Sequence, residues 1–149
     1  MKKLFIIITV FLSMVSYAKA EEQVPLPLCN DSELAEKLSS KIKEAYKVKY
    51  ADDDLYSKRQ RKLFLKNVRD LEEVNVSEIN KSNFDFYSKY TELKINKALT
   101  AEDIRVCKLK KNNNLKKVYL LIYKYKGETF VDFVNFKITS YKKLNNMKL

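Results

Sequence analysis

The segment KKVYLLIYKYKGETFVDFVNFKI, residues 116–138, decides the fold. Two runs rich in β-branched and aromatic residues, 118–125 and 129–138, flank Lys126-Gly127, and Gly127 is the only glycine among 149 residues. Glycine takes the positive φ that a two-residue hairpin turn requires without a Cβ clash, so the pattern predicts a β-hairpin. A two-residue turn also sets the register. Tyr125 then faces Glu128, Tyr123 faces Phe130, Ile122 faces Val131 and Leu120 faces Phe133.

Side chains alternate across a strand, so this register sorts the hairpin into two faces. One holds Val118, Leu120, Ile122, Val131 and Phe133, is apolar, and is expected to pack on helices. The other holds Tyr119, Leu121, Tyr123, Tyr125, Phe130, Asp132, Val134 and Phe136. A solvated face carries more charge and fewer aromatics than this. Tyr119, Tyr123, Phe130, Asp132 and Phe136 are therefore the candidate binding residues, for a small ligand, a partner protein or a second copy of the chain.

Upstream of the hairpin, IRVCKL at 104–109 reads as a further strand, joined to it by an asparagine- and lysine-rich loop at 110–117. Residues 139–141 extend the last strand. The earlier half of the chain is helical. Leu34, Leu38, Ile42, Ala45 and Tyr46 recur at helical spacing after Asn30-Asp31-Ser32-Glu33, where Asn30 suits a cap and Glu33 can reach back to it. A second helix is expected from about 55 to 73, with Tyr56, Gln60, Phe64, Val68 and Leu71 on one stripe and Lys58, Arg59, Arg61, Lys62, Lys66 and Arg69 outside. Such a basic face binds phosphates or is simply solvated. A third segment, 83–98, spaces Phe86, Tyr87, Tyr90 and Leu93 as a helix, although its aromatics also suit a strand. Asn75-Val76-Ser77 and Asn80-Lys81-Ser82 match the glycosylation pattern, which an asparagine-rich chain meets by chance.

The sum is an α+β domain: two to three N-terminal helices (helical half, 30–98) on a curled antiparallel sheet of three to four strands (sheet half, 104–141). This order of elements resembles the cystatin-like and nuclear-transport-factor-2-like architectures. That resemblance implies helices on one sheet face and a concavity on the other, and implies no particular function.

Residues 1–20 have the layout of a secretory signal peptide. Lys2 and Lys3 precede an apolar run at 4–15, and Ala18-Lys19-Ala20 supplies small residues before Glu21. That run is well short of the roughly 20 residues that span a bilayer. The mature chain is then a single domain, 21–149, periplasmic or secreted. Leu28, ahead of the first cysteine, is too bulky for a lipoprotein signal. The mature part holds two cysteines, Cys29 and Cys107, which in an exported chain read as a disulfide, with free thiols or an intermolecular bridge as the alternatives. An intramolecular bridge closes a loop of about 80 residues, worth roughly 4 kcal/mol on chain-entropy grounds.

The chain carries 30 basic and 19 acidic residues, a net charge of +11. Residues 21–103 are nearly neutral, so residues 104–149 hold the excess. This distribution suits an anionic membrane surface, or reflects edge protection, mutual neutralisation of the two halves, or background composition. Tyrosines among lysines also suit nucleic acid, but the small share of arginine argues against a site shaped for phosphates.

Histidine is absent, which removes the commonest general base and zinc ligand, and one glycine cannot build a phosphate-cradling loop or a nucleophile elbow. The Asp52-Asp53-Asp54 run lacks the alternating ligands and distal glutamate of a calcium loop. No metal, cofactor or catalytic set is expected. The functional expectation is an exported binding or interaction module for an unknown protein or small ligand of the cell envelope. The alternatives are a small envelope enzyme using Asp132, whose pKa would rise on burial, or an effector attached to anionic surfaces through its lysine-rich sheet half.

Overall fold

Lys126 and Gly127 both have positive φ, 51° and 78°, as a type I′ hairpin turn demands. In the computed structural model the strands they join, β3 (Tyr119–Tyr125) and β4 (Glu128–Val134), pair antiparallel. Tyr125 lies opposite Glu128, Tyr123 opposite Phe130, Ile122 opposite Val131 and Leu120 opposite Phe133, the register expected from the turn. The structure describes residues 24–46, 55–110, 118–136 and 146–149. The expected leader at 1–20, the aspartate run at 52–54, all but the first residue of the 110–117 loop and the strand extension at 139–141 lie outside them.

The fold is α+β, with helices preceding an antiparallel sheet. Helices α1 (Ser32–Tyr46) and α2 (Leu55–Asn67) come first, then the short strand β1 (Leu71–Glu73), a single 3-10 turn (Val76–Glu78) and helix α3 (Phe84–Asn96). Strand β2 (Ile104–Leu109), the hairpin, and a two-residue strand β5 (Met147–Lys148) complete it. The five strands lie in sequence order, each antiparallel to its neighbour. This is one or two more than the expected three to four strands, and the short edge strands β1 and β5 are the ones the sequence pattern did not place.

β1 was expected to be the end of the second helix. The helix stops at Asn67, whose side chain donates to Leu63 O at 2.7 Å, and Asp70 N–H closes a turn onto Asn67 O at 2.9 Å. Leu71 and Glu73 then face one side of the sheet and Glu72 the other, so pairing with β2 buries Leu71 as a strand residue. At the start of α1, Asp31 rather than Asn30 is the cap: its carboxylate accepts from Glu33 N–H at 2.9 Å. Segment 83–98 settles as a helix, capped by Asn83, which accepts from Phe86 N–H at 3.2 Å.

The largest departure concerns the layers. α1 and α2 cover one face of the sheet, where Leu34, Leu38, Ile42, Phe64 and Val68 pack on Leu120, Ile122, Val131 and Phe133. The other face is not free. There Phe86, Tyr90 and Leu93 of α3 pack with Val106, Leu121, Tyr123 and Val134. The sheet lies between helices on both faces, so among the described residues the hairpin's aromatic face is covered by α3 rather than left as an open concavity.

Cys29 and Cys107 form the expected disulfide, with Cα atoms 5.7 Å apart. It pins the segment before α1 onto the middle of β2, and both cysteines are buried in the α1–α2 core. Beside the bridge, Arg105 donates to the carbonyls of Leu26 and Pro27 at 2.8 and 2.7 Å, so side chain and disulfide together fix the chain's entry. Among the described residues, no helix is long and apolar enough to cross a membrane.

Candidate functional site

Of the five candidate residues, the structure gathers three. Tyr123 and Phe130, opposite each other in the hairpin, stack with ring centroids 5.8 Å apart, and Asp132 follows two positions on along the same face. Tyr119 is at the far end of that face, edge-on to Phe86 of α3 at 5.2 Å. Phe136 is not on it. Asn135 takes a φ of 60°, which ends strand alternation after Val134 and turns Phe136 to the opposite core. There it packs on Phe64 at 4.9 Å and Phe133 at 5.3 Å.

Asp132 is only 1 % exposed. Its carboxylate accepts a short hydrogen bond from the backbone N–H of Asn146, ahead of β5. The Tyr123 hydroxyl lies 3.5 Å from Asp132 and 2.8 Å from the side-chain oxygen of Asn146, which accepts its proton. A buried carboxylate requires such partners. Burial raises the pKa of Asp132 from its ordinary value. The Asn146 N–H and the Lys89 and Lys97 ammonium groups pull the other way, and Glu92 adds to the rise. Burial, and then the Asp132 charge, push Tyr123 far above the usual tyrosine value.

Lys97, at the C-terminal end of α3, closes the aromatic cluster. Its ammonium sits 4.3 Å from the Tyr125 ring centroid, 5.2 Å from Tyr123 and 5.6 Å from Phe130. Three rings around one cation is the geometry that recognises ammonium ligands, and here the chain's own lysine fills it. Asp132, Tyr123 and Phe130 are therefore already partnered within the fold. Neither Asn146 nor Lys97 carried a sequence signal for these roles. Asn146 is 14 residues from Asp132 and 23 from Tyr123, and Lys97 reads as an ordinary basic residue at a helix end.

Asp132 lines none of three grooves found among the described residues. The widest, about 1050 Å³, lies at the hairpin-tip end of the sheet on the α1–α2 side, beyond the helices' reach. Its floor is the polar continuation of the apolar face: Glu73 of β1, Arg105 of β2, Lys124 of β3 and Thr129 of β4, with Val24–Leu26 along its rim. Arg105 is anchored by the two carbonyls and by Glu73 at 3.5 Å. Lys124, Lys126, Glu102 and Asp103 supply its further charges, and hydrogen bonds from Thr100 hold Asp103 below the ordinary carboxylate range. A second groove, about 490 Å³, separates α1 from α2, and a third, about 300 Å³, lies beside the first turns of α3.

The charge excess of the sheet half is partly neutralised inside the fold. Glu73 meets Arg105, Glu72 meets Lys108 at 3.4 Å across β1 and β2, and Glu128 meets Lys148 across the last pair of strands. Among the described residues no cluster of acids and cysteines is arranged to hold a metal ion. No protein-family model matches this sequence, and no curated protein and no solved structure matches it either.

Proposed function

We propose that the protein is an exported, disulfide-stapled binding module and that its ligand lies on the open polar end of the sheet. The observation that carries this reading is the contrast within the sheet. Its buried Asp132 and its aromatic cluster are occupied by Asn146 and Lys97, while Lys124 and Thr129 stand open beside the Arg105–Glu73 pair in the floor of the widest of these grooves. That floor offers cations, a carboxylate and a hydroxyl in one concavity, which suits a polar ligand or a segment of a partner protein. Catalysis by Asp132 is not part of the proposal, because a base needs a path to substrate and this carboxylate is enclosed. The buried Cys29–Cys107 bridge supports export, since such bridges persist in oxidising compartments.

Two measurements test it. N-terminal sequencing of the protein recovered from the envelope or medium is expected to begin at Glu21; a cytosolic chain still carrying residues 1–20 overturns the export part. Capture from envelope extract by the oxidised protein is then compared with capture by K124E/K126E. A partner held by the parent and lost by the variant supports the groove. One held equally by both places the ligand elsewhere, and the absence of any captured partner removes the binding reading.

A further inference from the structure

Helix α2 has five basic residues and no acidic one in 13 positions. Lys58, Lys62 and Lys66 recur every four residues over about 12 Å of helix rise, and the exposed Arg69 follows just past the helix's end. Like charges at this spacing repel, so the stripe costs the isolated helix stability. The described residues offset little of it. Arg69 has Glu36 of α1 at 3.8 Å, and among the described residues no carboxylate pairs with Lys58, Lys62 or Lys66. The sheet-half cations Arg105, Lys108 and Lys148, by contrast, each have a carboxylate partner.

The stripe runs into the groove between α1 and α2. Lys66 and Arg69 form one wall of that groove, and Ser39, Ser40 and Lys43 form the other, with Glu36 as its single acid. Ala35, Ser39 and Ser40 are small, which leaves the groove open. Two hydroxyls and three cations around one carboxylate suit a phosphate group. Lysines dominate the stripe, and lysine acts as a mobile point charge rather than a fixed bidentate fork. A row of them fits many equivalent headgroups on a plane better than one rigid phosphate ester.

We propose that this face of α2 docks the protein on an anionic phospholipid surface, with a headgroup phosphate entering the α1–α2 groove. The attachment is independent of the sheet-end groove, so its failure leaves the proposed binding function standing.

The test is co-sedimentation of the oxidised protein, as recovered after export, with vesicles of phosphatidylcholine mixed with phosphatidylglycerol or of phosphatidylcholine alone. Binding is expected only to the mixed vesicles, and falls as salt shortens the screening length. The variant K58Q/K62Q/K66Q is expected to bind more weakly by roughly fivefold per lost charge. K81Q/K94Q, in and just before α3 and outside both grooves, is expected to bind as the parent does. All five positions are at the surface, and unchanged thermal unfolding verifies that each variant is folded. No binding to mixed vesicles, or equal losses in the two variants, overturns the proposal. Glycerol phosphate is titrated separately, read through the amide resonances of Ser39, Ser40 and Lys66. Saturable shifts there without vesicle binding assign the groove to a soluble phosphate ester and overturn the membrane assignment.

Discussion

On the face toward α1 and α2, Leu120, Ile122, Val131 and Phe133 meet Leu38, Ile42 and Phe64, and the Cys29–Cys107 bridge lies among them. On the face toward α3, Tyr123, Phe130 and Asp132 meet Lys97 and Asn146 as well as Phe86 and Leu93. The first face is held by nondirectional apolar burial and a covalent tie, so many side-chain arrangements would satisfy it. The second has to satisfy a buried carboxylate and a phenol, so it tolerates only partners of the right polarity in the right place. This teaches that an aromatic, partly polar strand face with one acid need not be a ligand site. The same composition arises where a helix closes over the sheet and the polar groups find partners inside.

That contrast can be broken or sharpened experimentally, beginning with the largest effect. C29S/C107S removes the covalent tie of the first face and is expected to cost about 4 kcal/mol in chemical unfolding, the loss being reproduced in the parent protein by reductant. An unchanged denaturation midpoint would show that the tie contributes nothing. Phe86→Ala removes the main apolar contact of α3 with the second face, where Phe86 is fully buried, and is expected to cost about 3 kcal/mol. A loss below about 1 kcal/mol would mean that α3 is not packed on the sheet as described.

Asp132 gives a test with a sign. Its folded-state pKa is raised, so the folded protein holds the proton more tightly than the unfolded chain does. The stability linked to that proton is fully present below the unfolded value of 3.8 and is lost as pH rises through the folded value. Asp132→Asn keeps an acceptor for the Asn146 N–H but cannot ionise. The stability of the variant relative to the parent is therefore expected to increase as pH rises above the ordinary carboxylate range, then level off. Asp132→Ala strands the Asn146 N–H and is expected to cost about 2 kcal/mol at acidic pH, where the charge no longer confounds the comparison. A pH-independent difference between Asn and the parent would contradict the buried position. The smallest effect is that of Lys97→Met, which leaves the three rings apolar contact but no cation, and is expected to cost about 1 kcal/mol. Because Lys97 also lowers the pKa of Asp132, its removal is expected to cost more in the parent than in Asp132→Asn, a coupling that a double-mutant cycle measures.

Local chemistry determined much of this protein without its three-dimensional structure. A sole glycine between two β-rich runs specified the hairpin and its register, because turn geometry and alternation act over a few residues. Two cysteines in the part expected to be mature left one possible intramolecular pairing, and helical spacing located α1, α2 with its end overrun, and α3. Tertiary structure decided the rest. Residues 71–73 became a strand because β2 offered its edge, which no local pattern announces. The hairpin's second face became interior because α3 crossed to it, and a helix's own periodicity does not say which side of a sheet it covers. Phe136 changed sides on one backbone angle at Asn135. The partners of Asp132 and of its aromatic neighbours are Asn146 and Lys97, remote in sequence and unremarkable in type, so only the folded chain could bring them together.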